Sequence, residues 1–367
     1  MRVVIGSDRG KIPRGLDEDT REVEGVGLGD TITNKEFCER KVARRDALMT
    51  SAAVRRIALI ATPARIIPLL LALAILVFLY YYASHFFAQR NIVNILVQMS
   101  SLALLAIGMT FVMVGGGIDL SMPATMAFGA VLGAFLMRAG YNPVLANLVT
   151  LLAAAAVGLV NGAAVAVFRM TPFVVTLASM TAVGGATVWM TNSVSVSHFP
   201  DAFFNFYLAR PFGVPVTVII LVVAALIAST VTSSTIFGRW LYALGINARA
   251  ARVARIPVER VLFVTYLVSA LLAGLTGVLL SARLGSASAN IGNDGVVLDI
   301  VSACVVGGVS IYGGSGKPLG AVFGAFFITL ISNSLNQLGV SYFMNLVVKG
   351  IVIIAFIYLD KLARREP

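Results

Sequence analysis

The chain has 367 residues, of which 58% are hydrophobic and only 12% are charged, whereas soluble domains carry about 25% charged residues. Its two cysteines and two histidines lie far apart in sequence, so they give no disulfide framework and argue against a zinc site or a Cys/His catalytic pair. The formal net charge of +11 is interpreted as a signal of membrane orientation, and no nucleic-acid partner is expected.

The charge is concentrated at the N-terminus. Residues 1–65 hold 13 Lys/Arg and 10 Asp/Glu, and the remaining 302 residues hold 15 and 7. The mixed signs predict a poorly ordered cytoplasmic extension, and the first apolar run begins too late for a cleavable signal peptide. We therefore expect an extension over residues 1–65 and a transmembrane domain over residues 66–367.

Long uncharged tracts fill the rest of the chain, and about 20 apolar residues suffice for a helix to cross a bilayer. Core helices of soluble proteins are amphipathic and rarely as long. The predicted fold is therefore an all-α polytopic membrane protein with about ten transmembrane helices, some of them broken at glycine-rich segments. The predicted spans are 66–84, 92–114, 119–138, 143–168, 171–193, 214–236, 261–282, 297–314, 318–336 and 343–360.

The distribution of positive charge predicts the orientation. With the N-terminus inside, the inner connections hold ten Lys/Arg and the outer ones hold four, as the excess of cytoplasmic basic residues requires. We therefore expect a bacterial inner-membrane protein with both termini in the cytoplasm. Lys349 is left out of this count because it lies within the last span. It would belong to the outer side only if its long side chain extended to the outer membrane interface.

The first break between spans is the stretch "VMVGGGIDLSMPATMAFGAVLGAF", residues 112–135. Gly116 and Gly117 precede Asp119, the only acidic residue between residues 47 and 200, and Ser121 follows. A lone carboxylate at a helix break in a membrane is a candidate functional residue. Alternatively, its side-chain oxygen caps the next span, and the two roles can coexist.

The longest internal cytoplasmic connection, about residues 237–260, contains the stretch "ALGINARAARVARIPVERV". Arg249, Arg252 and Arg255 recur every three residues, the alanines between them favour helix, and Pro257 is expected to end that helix. Scattered basic residues would suffice for an orientation anchor. A helix with arginines and an apolar edge instead suggests a surface that docks onto a partner.

A second glycine-rich segment, residues 305–326, resembles the first break. At an offset of 191 residues, Gly307 and Gly308 fall on Gly116 and Gly117. Small residues match easily by chance, but internal repeats and interrupted helices are marks of transporters.

Within this segment, "GGSGKP" is not a phosphate-binding loop. Ile311 stands where the first glycine of that motif is required, and Pro318 follows Lys317 in place of Ser or Thr. We therefore expect no ATP hydrolysis by this chain itself.

Together these segments resemble the permease subunit of a bacterial ABC importer of the ribose-type, carbohydrate-uptake class, within the branched-chain amino acid/sugar permease superfamily. The likeness runs from about residue 66 to 365. One departure is Met122-Pro123-Ala124, where the class has Val-Gly-Ser or Val-Gly-Ala. The likeness is carried by "GGGIDLSMPATMAF" and by residues 161–185, 243–285 and 307–325.

The resemblance implies a non-catalytic subunit that translocates a monosaccharide or a similar small polyol and holds no cofactor of its own. ATP and Mg would be bound by a partner ATPase. A periplasmic sugar-binding protein would contact the outer loop of residues 194–213, and a second permease copy and membrane lipid would complete the environment.

The resemblance also implies two groups of functional residues. Those of a coupling helix that contacts the ATPase, within residues 245–257, are Gly245, Asn247, Ala250, Ala251, Arg252, Ile256 and Pro257. Those of the translocation path or helix breaks are Gly116, Gly117, Asp119, Ser121, Asn161, Gly307 and Gly308.

Other transport classes remain open. A permease of the same superfamily could carry a branched-chain amino acid or a nucleoside. An ion-driven secondary transporter predicts acid or histidine relays within the membrane, for which Asp119 alone is thin support. A membrane enzyme needs a nucleophile–base or metal constellation, and the sequence shows none.

Overall fold

The computed structural model describes residues 86–292 and 294–363, together with Val77 and Tyr81. Within these residues the chain is helical, and the only β contact is an isolated antiparallel bridge between Val196 and Ala287. The all-α fold predicted from the sequence is confirmed. The predicted extension over residues 1–65, and nearly all of the predicted span 66–84, lie outside the described residues.

The described part of the chain contains twelve α-helices. Two 3₁₀ turns, Pro211–Gly213 and Ala289–Gly292, lie between them. In chain order the helices are α1 (Gln89–Val114), α2 (Met122–Arg138), α3 (Pro143–Ala166), α4 (Pro172–Thr191), α5 (Asp201–Leu208), α6 (Val216–Ser234), α7 (Ile236–Ile246), α8 (Ala248–Val253), α9 (Val258–Leu284), α10 (Asp294–Val306), α11 (Pro318–Gln337) and α12 (Tyr342–Ala363).

Nine of the ten predicted spans coincide with one of these helices. Among the described residues, six helices are both long and apolar enough to cross a membrane, and a seventh candidate, Ala289–Val306, joins the second 3₁₀ turn to α10. Helix α2 is a shorter apolar helix of 17 residues. The span predicted over 297–314 differs most, because α10 ends at Val306. Gly308 follows in a left-handed conformation, with φ +79°, and this conformation ends a helix.

Helices α1 and α9 form the centre of the domain. Helix α9 packs along α1, α2 and α3, and α1 also packs against α6, α10 and α11. The approach is close because small residues face one another across these contacts. A Cβ added at Gly277 of α9, for example, would lie 2.6 Å from the carbonyl oxygen of Met126 in α2.

The connections predicted for the cytoplasmic side contact one another. The Tyr242 hydroxyl donates a hydrogen bond of 2.6 Å to the Gly316 carbonyl, and the Thr176 hydroxyl donates one of 3.1 Å to the Ile118 carbonyl. The connections predicted for the outer side meet at the bridge between Val196 and Ala287. The structure thus sorts the connections into the same two groups as the count of basic residues. Which of the two groups faces the cytoplasm stays a prediction.

Candidate functional site

The break between α1 and α2 is organised around Asp119, which is buried. Its Oδ1 accepts hydrogen bonds from the Ser121 amide at 3.0 Å and from the Ser121 hydroxyl at 2.6 Å. An Asp that binds the amide two residues ahead forms an Asx turn. Because Ser121 immediately precedes α2, Asp119 directs the chain into that helix without capping an amide inside it.

The same carboxylate joins the break to three further helices. Oδ2 of Asp119 accepts a 2.7 Å hydrogen bond from Ser269 of α9. The Ser121 hydroxyl accepts a 2.8 Å bond from the Asn161 amide of α3, and the Asn161 side-chain carbonyl accepts one from Ser179 of α4. The structure therefore brings the predicted residues Asp119, Ser121 and Asn161 together. Ser269 and Ser179 were not predicted, since serines in apolar helices carry no distinguishing pattern.

Tyr266 closes this network on one side. Its side chain is buried, one turn before Ser269 on α9, and its hydroxyl has no hydrogen-bond partner among the described residues. A Cβ added at Gly117 would lie 2.6 Å from that hydroxyl oxygen, so only glycine fits there. No lysine or arginine forms an ion pair with Asp119 in the part of the chain that the structure describes. The carboxylate of Asp119 is therefore held by hydroxyl and amide donors alone.

The predicted coupling segment contains α8, which is six residues long. The Asn247 side chain accepts hydrogen bonds of 3.0 Å from the amides of Arg249 and Ala250 and so caps its N-terminus. The helix ends at Val253, earlier than the expected end at Pro257. Arg255 adopts φ +59°, which allows the bonds that terminate it.

These terminating bonds form a Schellman motif. The Arg255 amide binds the Arg252 carbonyl, and the Ile256 amide binds the Ala251 carbonyl, both at 3.0 Å. Pro257 lies after this motif and immediately precedes α9, as its N-cap residue. The proline therefore starts the next helix and does not end α8.

The side chains of the coupling segment point in two directions. Ala251 is buried and Ile256 is partly buried, and both pack into the core of this same chain. Ala250 and Arg252 are exposed, as is Val253, whose exposed fraction is 86%. The outward surface of α8 is thus made of Ala248, Arg249, Ala250, Arg252 and Val253.

Glu259, in the first turn of α9, lies between two arginines. Its Oε1 is 3.5 Å from Arg252 and 3.7 Å from Arg169, which stands in the connection between α3 and α4. All three side chains are substantially exposed, so each pair contributes little to stability. An exposed pair of this strength leaves the Arg252 guanidinium free to exchange Glu259 for another acidic partner.

Gly245 joins the coupling segment to both glycine-rich breaks. A Cβ added there would lie 1.8 Å from the Val114 carbonyl oxygen and 2.4 Å from the Gly314 amide nitrogen. The Gly314 amide in turn donates a 2.9 Å hydrogen bond to Val114. The end of α1, the segment after α10 and the end of α7 therefore meet at one junction of backbone atoms.

Gly307 and Gly308 begin the connection between α10 and α11, which contains Gly314 of this junction. A Cβ added at Gly307 would lie 2.2 Å from the Gly320 carbonyl oxygen, so α10 and α11 touch through their backbones there. Further along, a Cβ added at Gly313 would lie 3.0 Å from Gly116 Cα. The two glycine-rich segments that resemble each other in sequence are thus in direct contact.

On the opposite face, a cleft of about 790 Å³ opens beside the outer loop. Arg283 donates a 3.0 Å hydrogen bond to Asn94 across it. Burial raises the pKa of Tyr207, and the nearby Arg283 opposes that rise. The polar and charged side chains that line the cleft are Gln89, Arg90, Asn91, Asn94, Tyr207, Arg210, Thr217, Arg283 and Gln337.

One ion pair within the apolar helices was missed. The ammonium of Lys349 in α12 lies 2.9 Å from Oδ2 of Asp299 in α10. The sequence did carry a signal, because one acid and one base stand inside two different apolar spans and such residues usually pair. The sequence prediction considered Lys349 only as a marker of orientation and did not consider Asp299 as its partner.

Comparison with known proteins places these features in a family. A family model described as the permease component of a branched-chain amino acid transport system matches residues 91–357. The chain belongs to this family of transport permeases. The assignment made from the motifs at Asp119, Asn161 and residues 243–285 and 307–325 is confirmed.

Named relatives cover most of the chain. A ribose import permease protein from Bacillus subtilis (strain 168) is 38% identical over 75% of this chain and 86% of its own length. One from Escherichia coli (strain K12) is 37% identical over 75% and 87%. A D-allose transport system permease protein from the same strain is 36% identical over 80% and 90%. No solved structure matches the chain significantly.

Proposed function

We propose that this permease is the membrane-spanning subunit of an ABC importer and translocates a monosaccharide or a similar small polyol. The names of the relatives, which refer to ribose and D-allose, support the substrate class. The single observation that carries the mechanism is the junction of Gly245, Val114 and Gly314. Through it, a displacement of the coupling segment reaches both helix breaks without passing through flexible side chains.

In this proposal the chain is not the enzyme of the importer. A separate ATPase subunit binds ATP and Mg and hydrolyses the nucleotide. The outward surface of α8, made of Ala248, Arg249, Ala250, Arg252 and Val253, docks onto that subunit. Arginine suits such a contact because its guanidinium can bind a carboxylate through two hydrogen bonds.

The proposed importer has two further protein partners, a periplasmic binding protein and a second permease. A periplasmic binding protein delivers the sugar to the outer face, where the basic cleft and the loop of residues 194–213 lie. A second permease, either identical or related, completes the complex. Both termini lie in the cytoplasm, as the excess of basic residues in the inner connections favours.

The test is transport by the assembled complex. The permease, its cognate ATPase and its cognate binding protein are reconstituted in vesicles, and uptake of labelled ribose, allose, leucine and adenosine is compared. We expect ATP-dependent uptake of a sugar and ATP hydrolysis that rises when the sugar-loaded binding protein is added. ATP-dependent uptake of leucine or adenosine alone would change the substrate class. Uptake driven by an ion gradient without ATP would overturn the proposal.

A further inference from the structure

Asp299 and Lys349 form an ion pair inside the outer half of the membrane domain. Asp299 lies five residues into α10 and Lys349 seven residues into α12, which corresponds to about 8 Å and about 10 Å of helix. Both helices begin on the face opposite to α8. The two side chains are therefore at similar depth, and each keeps part of its surface open, 26% for Asp299 and 14% for Lys349.

A third polar side chain lies beside the pair. Asn345 precedes Lys349 by one helical turn on α12, so the two residues share a face of that helix. Its exposed fraction is 5%. Its amide nitrogen contacts the Asn336 side chain at 3.4 Å and the Ser332 carbonyl at 3.5 Å, whereas its side-chain carbonyl oxygen has no partner among the described residues.

Hydrogen-bonding capacity is thus left over at this position. The pair uses Oδ2 of Asp299 and one N–H of Lys349. In the part of the chain that the structure describes, this single hydrogen bond leaves Oδ1 of Asp299 and the two other N–H groups of Lys349 available. The buried side-chain carbonyl oxygen of Asn345 has no partner there. A pair that served only to hold α10 against α12 would leave the buried, unpartnered carbonyl oxygen of Asn345 unexplained.

The ion pair is partly open, whereas the Asn345 carbonyl oxygen is buried beside it, and this restricts what the pair can face. A charged group in contact with lipid tails is strongly unfavourable, so intramembrane ionisable residues face protein or a water-filled cavity and mark substrate pathways. From this geometry we propose that Asp299, Lys349 and Asn345 form a subsite for the transported polyol on the translocation path. This inference rests on the proposed function.

The chemistry of the subsite fits a neutral polyol. Each sugar hydroxyl is both a donor and an acceptor. Neighbouring hydroxyls can donate to Asp299 and Asn345 while accepting from Lys349, and hydrogen bonds to charged groups are stronger than those between neutral groups. The pair has no net charge, so a neutral substrate can bind without separating it. A zwitterionic amino acid would have to pull Lys349 away from Asp299.

Cysteine labelling of the reconstituted complex tests the proposal. Asn345→Cys is made in a Cys38→Ser background; Cys304 stays because it is fully buried. The probe is a membrane-impermeant cationic methanethiosulfonate, and labelling is read by mass. We expect labelling at residue 345 at least tenfold faster during ATP turnover than without ATP, and slower labelling when sugar-loaded binding protein is in excess. Leu298→Cys, next to Asp299 and 59% exposed on the apolar surface, is the matched control and should not react.

The outcomes separate this proposal from the proposed function. If the unmodified complex imports sugar but residue 345 does not react, or reacts at a rate that sugar does not change, the subsite is refuted and the importer stands. If the unmodified complex imports no sugar, the proposed function itself fails. As a second arm, Asp299→Lys with Lys349→Asp restores a pair but reverses donors and acceptors, and should cut uptake at least tenfold. Full uptake by the exchanged pair would also refute the subsite. If the complex with the exchanged pair does not assemble, the labelling at residue 345 alone decides whether the subsite exists.

Discussion

The backbone amide of Gly314 donates a hydrogen bond of 2.9 Å to the carbonyl of Val114. This bond ties the segment after α10 to the end of α1, although the two residues are 200 positions apart in sequence. Gly245, which precedes the coupling helix α8, packs against both atoms of the bond. Because backbone atoms have no rotamers to absorb a displacement, we expect a push on α8 to be passed on to both breaks.

Gly245→Ala tests the need for this contact. The new Cβ would overlap the Val114 carbonyl oxygen, 1.8 Å away, and overpacking of this kind costs about 1–3 kcal/mol or more. We expect a lower thermal unfolding temperature in detergent and loss of uptake. Gly185→Ala is the matched control, because no atom lies within 4 Å of its added Cβ. If the two variants were equally stable, the contact of Gly245 with Val114 and Gly314 would not be needed for stability.

Replacement of Asp119 tests the network at the first break. Asp119→Ala leaves the Ser121 amide and the Ser121 and Ser269 hydroxyls without their acceptor. Each buried group left without a partner costs about 1–3 kcal/mol. Asp119→Asn keeps one oxygen acceptor at the same place and should be milder. We expect thermal stability and uptake to fall in the order wild type, Asn, Ala. Wild-type behaviour of the alanine variant would be inconsistent with a structural role.

The outward surface of α8 is tested with Val253→Asp and Arg252→Glu. Val253 is 86% exposed, so Val253→Asp should not disturb folding. If the surface docks onto the ATPase, both variants should insert normally but lose ATPase binding and at least 90% of uptake. Tyr141→Asp is the control, because Tyr141 is 53% exposed in the connection between α2 and α3, away from α8. Ala251→Asp is less informative, because Ala251 is buried in this chain.

Near-normal uptake and complex formation by both Val253→Asp and Arg252→Glu would mean that this surface does not dock and that the arginines of the segment act only as an orientation signal. Co-purification with the tagged ATPase and uptake in vesicles provide the two measurements.

The predicted orientation is tested with reporter fusions. A fusion after residue 204, in α5, should report the periplasm, and one after residue 250, in α8, should report the cytoplasm, because the basic residues concentrate on the latter side. Alkaline phosphatase and green fluorescent protein serve as reporters of the two compartments. The same location for both fusions would contradict the topology.

The ion pair between α10 and α12 has a predicted effect on stability. Lys349→Met leaves Asp299 as an unpaired, partly buried charge. Breaking a fully buried pair in this way costs about 3–5 kcal/mol, and we expect a smaller loss for this partly open pair. The double variant Asp299→Leu with Lys349→Met removes both charges and should recover most of that loss. Thermal unfolding of both variants in one detergent makes the comparison. A single variant as stable as wild type would show that water already screens the pair.

The sequence by itself determined the membrane class, the spans and the family, because these depend on local composition and short motifs. An uncharged tract of about 20 residues predicts a helix wherever it occurs, and nine predicted spans coincide with helices in the described part of the chain. The helix in the coupling segment also depends on local sequence, because its alanines favour helix and the Asn247 side chain caps its N-terminus.

Only the tertiary structure decided which residues meet and which side chains remain outside. The sequence pattern placed Ala251 and Arg252 on one docking surface, but packing buries the first and exposes the second. It likewise could not show that Gly245 lies against Val114 and Gly314, or that Asp299 pairs with Lys349. These contacts depend on how closely helices distant in sequence approach, and that distance is set by small residues packed across several helices at once.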